Sequence, residues 1–505
     1  MIKIILSILL SVGTPVVLMA DENTKPNETQ PVPEARLATS SHELKLNGKS
    51  IAYTATAGTM LMKNKAGQAQ ALMGYTAYVA DGKQSTNRPI MFAYNGGPGS
   101  ASIWLHMGIL GPQRAVATDA GFSLNGPFRH VANEYSIIDE VDLVMIDPVG
   151  TGFSRPVGEG KGEDFWGVDQ DIKSVSEFIV QYVTENGRWA SPKFILGESY
   201  GGMRSGGVAL RLLTRHNMAL NGVALVSPFM EMTTGFSGMG IDLPHVMFLP
   251  TYAATAWYHD ALANKPADLI AFMEEVEQFA MQEYAPALLL GRGLEDAQRQ
   301  AVLSKLAAYT GLSEDYWDRA NLRISESQFT KELLRARGET VGRVDSRFLG
   351  NSINLVGETA FYDPFGSAIG PPFLAAFMDY YRTDLNVKED QEYIVSGDLW
   401  MHWDWGHDQP GMGGFKLPFP NTLVDLSVAM NQNPNMKVLY MQGYYDLATP
   451  HLATKYYIDH MDITPKLREN VSLKMYEAGH MMYIHETSMV KFKQDLAEFV
   501  RDSIQ

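Results

Sequence analysis

Cysteine is absent from this 505-residue chain. Without a thiol there is no disulfide framework, no thiolate zinc site, no Cys-ligated iron–sulfur cluster and no cysteine nucleophile. The absence leaves secretion open, because a chain of this length can bury a core that stands without staples. Positive charge is also scarce. Lys and Arg number 41 against 57 Asp and Glu, a formal net charge of −16. A surface of that sign repels phosphate, which argues against nucleic acid or an anionic membrane as partner. Internal repeats are lacking, and no apolar run beyond residue 20 is long enough to span a bilayer.

What is present starts with a short targeting pattern. Lys3 gives a positive start, Ile4 to Leu10 is nearly continuous apolar sequence, and Leu18-Met19-Ala20 precedes Asp21-Glu22. This predicts a secretory signal peptide over 1–20, cleaved near Ala20, and a periplasmic or secreted mature protein with no stable membrane insertion. The alternative is an uncleaved anchor, against which Gly13 and Pro15 weigh. Residues 21–42 are polar and Pro-rich, which predicts a disordered lead-in.

Two blocks then alternate strand and helix patterns. The first, 43–228, carries Ile51 to Thr56 and Ala71 to Ala80 as antiparallel strands. Short apolar runs follow at Ile90 to Tyr94, Val141 to Ile146, Phe194 to Leu196 and Val223 to Val226. Continuous apolar runs of that length fit buried parallel strands. Val168, Ile172, Val175, Ile179 and Val183 recur at helical spacing between them. The second block, 436–505, offers strands at Met436 to Met441 and Val471 to Met475 and a helix at Met489 to Val500. Between the blocks, 229–435 is too long for a loop and reads as a mostly helical insertion that caps the sheet. Its helical patterns include Leu269 to Phe279, Gln298 to Tyr309 and Glu326 to Arg337. The expected class is α/β, with a central, mostly parallel sheet.

Gly197-Glu198-Ser199-Tyr200-Gly201 fits G-x-S-x-G between a strand and a helix. A sharp turn there needs glycines and lifts the Ser199 hydroxyl clear of the sheet. A serine hydroxyl is a poor nucleophile and needs a base, which in turn needs an orienting acid. In α/β-hydrolases the chain order is Ser, Asp or Glu, then His. Asp446 follows the strand at Met436 to Met441, and His480 follows the strand at Val471 to Met475. Both fall where open α/β sheets put their sites. His451, His460 and His485 are rival histidines and read as surface or core residues. Asn95-Gly96-Gly97-Pro98-Gly99 can aim a backbone N–H at a developing oxyanion, with the second N–H from Tyr200. It lacks the Gly-Lys-Ser/Thr ending of a phosphate loop.

Four segments jointly resemble the serine carboxypeptidase family. They are Asn95 to Ser102, Asp147-Pro148-Val149-Gly150-Thr151-Gly152-Phe153-Ser154, Gly197 to Gly202, and Gly443-Tyr444-Tyr445-Asp446 with Ala478-Gly479-His480-Met481. The resemblance runs from about Leu44 to Val500, and Val341 to Phe348 is similar to bacterial members in particular. It implies an α/β-hydrolase fold with a helical insertion and release of single residues from peptide C-termini. Ser199, Asp446 and His480 would be the triad, and Gly97 and Tyr200 the oxyanion hole. Asn95 and Glu198 would hydrogen-bond the substrate's terminal carboxylate. Glu198 beside that carboxylate would share one proton with it, which favours binding in acid. Where the family usually has a Trp two residues before the Asn, this chain has Ala93. Its Cys after the Gly-rich turn is Ser100. Ile109 and Leu110 occupy the neighbourhood of a further acidic residue, and the proline expected soon after the His is missing. None of these departures touches the triad.

Trp400 to Asp408 holds two His and two Asp, yet the spacing does not fit a metal site, and a packed aromatic loop is expected. Tyr252, Trp257 and Tyr258 read as insertion core rather than substrate contacts. Met481 fits either a pocket wall or the core. No metal or cofactor is expected, and the oligomeric state leaves no trace in the sequence. The expected partners are peptide substrates. The alternatives are an esterase or acyltransferase on the same scaffold, or a non-catalytic hydrolase-like binding protein.

Overall fold

Ile90–Tyr94 illustrates how the sheet is built. All five residues are buried, and successive side chains point to opposite faces. Ile90, Phe92 and Tyr94 join one hydrophobic cluster, while Met91 and Ala93 join another on the far side. A strand covered on both faces needs apolar residues at every position, which is the pattern its sequence carries. The computed structural model describes residues 33–82, 87–123 and 126–504. The expected signal peptide (1–20) and residues 21–32 of the expected lead-in lie outside the described residues.

In chain order the sheet consists of β1 (Leu37–Leu46), β2 (Lys49–Lys63), β3 (Ala69–Ala80), β4 (Ile90–Tyr94), β5 (Asp142–Ile146), β6 (Lys193–Glu198), β7 (Gly222–Val226), β8 (Lys437–Gly443) and β9 (Val471–Tyr476). Their spatial order is β1-β2-β3-β5-β4-β6-β7-β8-β9, with Arg155–Pro156 as a short strand beside β3. Pairing is antiparallel as far as β3–β5 and parallel from there on. The parallel register aligns the carboxyl ends. Glu198 lies opposite Val226, Val226 opposite Met441, and Gly443 opposite Tyr476. Loops leaving those ends therefore emerge side by side.

Parallel strands need crossovers, and helices supply them. Helix α1 (Val168–Glu185) joins β5 to β6, and α2 (Tyr200–His216) joins β6 to β7. Between β7 and β8 come α3 (Leu243–Tyr258), α4 (Leu269–Phe279), α5 (Asp296–Thr310), α6 (Glu326–Glu332), α7 (Pro364–Thr383) and α8 (Leu423–Gln432). Helix α9 (His451–Asp459) follows β8, and α10 (Glu486–Asp502) follows β9. The α1 stripe Val168, Ile172, Val175, Ile179 and Val183 is buried against the sheet, as its spacing requires. Each such side chain contributes roughly 1.5–3 kcal/mol on burial.

Three expectations need correction. Strand β1 begins at Leu37, inside the stretch read as a disordered lead-in through residue 42. Ten register pairs with β2 order it, and backbone pairing of that length outweighs its polar composition. The insertion reaches both faces of the sheet. Helices α3 to α6 extend the cluster that α1 and α2 bury, whereas α7 enters the opposite cluster through Phe365, Ile369, Phe373 and Phe377. Helix α8 packs on α2, so the layer over the sheet resumes at Leu423, ahead of the expected restart at 436. Finally, the helix expected from Glu326 to Arg337 stops at Glu332. A small hairpin of Glu339–Val341 with Leu349–Asn351 follows it. No helix among the described residues is long and apolar enough to cross a membrane.

Candidate active site

Ser199 stands at the junction of β6 and α2 with φ 63° and ψ −128°. That is an uncommon conformation for a residue with a Cβ, costing of order 1–3 kcal/mol. Its neighbours hold it there. The Ser199 N–H donates to the Val226 carbonyl at 2.9 Å, and its own carbonyl accepts from Gly202 at 2.8 Å and Phe229 at 2.9 Å. The turn leaves no room for a side chain at position 197, where a Cβ would lie 2.2 Å from the Gly201 carbonyl oxygen. This steric demand is what the G-x-S-x-G pattern records.

The Asn95–Gly99 turn follows β4 and comes up against the start of α2. A Cβ at Gly96 would lie 2.5 Å from the Tyr200 backbone nitrogen, so only glycine permits the approach. The Tyr200 N–H is a first-turn donor with no partner inside its own helix. Arg204, one turn along α2, fixes the turn in place. Its Nη1 donates to the Asn95 carbonyl at 2.6 Å and its Nε to Asp171 Oδ2 on α1 at 2.7 Å. Its guanidinium lies over the rings of Tyr94 and Tyr200, 5.0 and 5.4 Å from their centroids.

Asp446 and His480 come together from the loops after β8 and β9. His480 Nδ1 donates to Asp446 Oδ2 at 2.7 Å. Asp446 is fully buried and is saturated with donors. Oδ1 accepts from the backbone N–H of Ala448 at 2.8 Å and Thr449 at 2.9 Å, and Oδ2 accepts from the Thr449 hydroxyl at 2.7 Å. The Ser227 hydroxyl donates to the His480 carbonyl at 2.8 Å. Ser227 immediately follows β7, next to the carbonyl that holds Ser199, so this contact joins the loop of the base to the strand beside the serine. Burial works against the charged imidazole, but the attraction and hydrogen bond of Asp446, with Glu198 adding to them, raise His480 above its ordinary pKa. With Nδ1 committed to Asp446, Nε2 is the nitrogen that can take a proton.

Asn95 and Glu198 also meet. Asn95 Nδ2 donates to Glu198 Oε1 at 2.8 Å, and Asn95 Oδ1 accepts from the Leu105 N–H at 3.0 Å. The second Glu198 oxygen accepts from the Tyr483 hydroxyl at 2.7 Å. Burial pushes Glu198 up to about 7, against the opposing pull of His480, Tyr483 and Asn95. The group therefore changes charge near neutrality.

A cavity of about 480 Å³ opens over Ser199, with Gly97, Tyr200, Phe229, Phe236 and Trp405 in its wall. Trp403 and Trp405 meet the Tyr200 ring edge-on at 5.5 and 6.0 Å. Both belong to the aromatic loop expected at 400–408. His407 of that loop serves as a clamp. His407 Nδ1 bonds Asp169 Oδ1 at 2.7 Å and Nε2 bonds Asp425 Oδ2 at 2.9 Å. Burial opposes its charge, but the two carboxylates prevail and push it up to about 9. Among the described residues no group of three or more His, Asp or Glu could hold a metal ion.

The rival histidines are occupied elsewhere. His451 bonds Thr251 and Glu277, both at 3.1 Å, His460 stacks on Tyr456, and His485 bonds Ser488 at 2.8 Å. Tyr252 stacks on Phe329 in the insertion core, and Met481 lies in the core cluster. Thr449, Ser227 and Tyr483 carry no motif of their own. The sole sequence signal for any of them is that Thr449 and Tyr483 each stand three residues past a residue already singled out.

Known proteins resemble the chain in part of its sequence and in its fold. The family model for serine carboxypeptidases matches residues 61–283, which include the Gly-rich turn, the Asp147–Ser154 segment and the Ser199 turn. The pheromone-processing carboxypeptidase KEX1 of Saccharomyces cerevisiae is 32% identical over 129 residues, 24% of this chain and 16% of the yeast protein. The crystal structure of KEX1ΔP, a prohormone-processing carboxypeptidase from the same yeast, superposes with a TM-score of 0.55 at 14% identity. That superposition covers 89% of this chain and 92% of the yeast chain, so the two share the α/β-hydrolase fold. Residues 61–283, less than half of the chain, are thus similar to serine carboxypeptidases, and the described residues adopt the α/β-hydrolase fold.

Proposed function

We propose that the protein is a serine carboxypeptidase that releases C-terminal residues from peptides through an acyl-enzyme on Ser199. The observation that carries this reading is the hydrogen bond of 2.7 Å between His480 and Asp446, in loops that emerge beside a strained serine turn.

In the reaction, Ser199 Oγ attacks the last peptide carbonyl while His480 Nε2 takes its proton. Asp446 holds the imidazolium that forms. The backbone N–H groups of Gly97 and Tyr200 receive the oxyanion, a contribution worth about 10²–10³ in rate per donor. His480 then passes the proton to the leaving amine and the C–N bond breaks. Water, deprotonated by the same imidazole, attacks the ester and restores Ser199. Asn95 and the protonated form of Glu198 present hydrogen bonds to the terminal carboxylate. Tyr483 keeps the Glu198 carboxyl in position. The aromatic wall of Tyr200, Phe229, Phe236 and Trp405 accommodates an apolar acyl-side residue. The segment Lys3 to Ala20 supports export of the chain, with cleavage near Ala20.

The test compares blocked dipeptides with free and amidated C-termini. A strong preference for the free acid, lost together with fluorophosphonate labelling in Ser199→Ala, is the expected result. Equal rates on both substrates would reject the assignment.

A further inference from the structure

Residues 342–347 leave the insertion and run between the loops that carry Asp446 and His480. The Val344 carbonyl accepts from the backbone N–H of His480 at 2.9 Å, and the Ser346 N–H donates to the Tyr445 carbonyl at 3.0 Å. Asp363 accepts from the N–H of Arg343 at 3.3 Å and of Val344 at 3.2 Å. Asp345 and Arg347, both buried, pair at 2.6 Å. The backbone is thus pinned from both sides. The Arg343 side chain is different. It is exposed, it lines the cavity over Ser199, and among the described residues no carboxylate lies within ion-pair distance of it. Its charge acts on His480, opposing protonation of the ring.

We propose that Arg343 binds the ionised C-terminal carboxylate of the peptide, on the leaving-group side of Ser199. This rests on the carboxypeptidase reading above and adds the group that reading lacks. Asn95 and Glu198 are buried, and both Glu198 oxygens already accept hydrogen bonds. Once Glu198 ionises, it repels a carboxylate. A guanidinium stays charged at every working pH and offers two parallel N–H donors, the geometry a carboxylate accepts best. The position also fits the chemistry. The leaving amine takes its proton from His480, so the departing residue lies beside that ring, and Arg343 adjoins the residue that bonds the His480 backbone. Glu326, the other charged side chain in the cavity wall, accepts from Ser237 at 3.1 Å and repels an anion. The two charges give the cavity a polarity, with the free carboxylate at the Arg343 end and the acyl chain toward Glu326.

The experiment measures kcat/KM of the wild type, Arg343→Gln and Arg343→Lys on a blocked dipeptide and on its C-terminal amide. Fluorophosphonate labelling of Ser199 reports that each variant is folded. The expected result is that Arg343→Gln cuts the acid-over-amide ratio by about 10–100-fold, mainly through KM, while Arg343→Lys keeps part of it. A wild-type preference that persists unchanged in Arg343→Gln overturns this inference and leaves the carboxypeptidase reading intact. Equal wild-type rates on acid and amide overturn both. Should Arg343→Gln fail to label, Arg343→Lys decides by the same ratio, a lowered value supporting the inference and an unchanged one overturning it.

Discussion

Arg204 Nη1 donates to the carbonyl oxygen of Asn95 across 2.6 Å, which ties the Gly-rich turn to the helix that begins at the serine. The same guanidinium pairs with buried Asp171. Arg204→Met removes both contacts and leaves Asp171 as an uncompensated buried charge, at a cost of about 3–5 kcal/mol. Urea unfolding should record that loss. Adding Asp171→Leu should recover part of the stability but not the turnover, because the Asn95 turn remains untethered.

Gly96→Ala tests how closely that turn approaches α2. The new methyl would lie 2.5 Å from the Tyr200 nitrogen, so turn and helix must separate. Steady-state kinetics on a blocked peptide ester should give a kcat lower by about 10²–10³, with KM changed far less. An unchanged kcat would remove the Tyr200 N–H from the oxyanion hole.

The pH dependence follows from two groups of opposite effect. Glu198 sits at about 7, so it loses its proton as pH rises through that value and then repels the substrate carboxylate. KM for free-acid peptides should rise across that range, and Glu198→Gln should flatten the rise. On the acid side, His480 is raised above its ordinary value and stops working as a base once protonated. Asp446→Asn removes the attraction that raises it. The acid limb of kcat should therefore move to lower pH, on top of a large overall loss of rate.

His407 gives a stability prediction with a definite sign. Its pKa is about 9 in the folded protein, above the unfolded value. The resulting stabilisation is complete below pH 6.5 and disappears as pH rises through about 9. Chemical denaturation of the wild type at pH 6 and pH 9.5 should differ by about 2 kcal/mol from this residue, after allowing for solvent screening at the partly exposed Asp169. His407→Gln should abolish the difference. It should also raise KM, because the loop it anchors carries Trp403 and Trp405 against Tyr200.

What the sequence reveals here is what local geometry dictates. A strand covered on both faces must be apolar throughout, so Ile90–Tyr94 announces itself. A turn that admits no Cβ must be glycine, so Ser199 is found by its neighbours. The expected order of Ser199, Asp446 and His480 comes from the α/β-hydrolase pattern, and the parallel strands place all three in loops at one edge of the sheet. Contacts set by distant chain segments leave no such mark. Tyr483 reaches Glu198 across 285 positions and Ser227 reaches His480 across 253. Nothing in a lone Tyr or Ser points to such a partner. His407 was visible only as part of an aromatic loop, because its two carboxylates come from α1 and α8. Strand β1 was hidden for a related reason, since its order derives from β2 rather than from its own polar residues.

The hydrogen bond from the His480 backbone to Val344 has a consequence for biosynthesis. Ser199, Val344 and His480 lie on three stretches made far apart in time. In the proposed mechanism, a ribosome that has delivered the first of them has produced a serine with nothing to deprotonate it. A chain acting by that mechanism stays inert until the stretch around position 480 has been made and has closed against Val344.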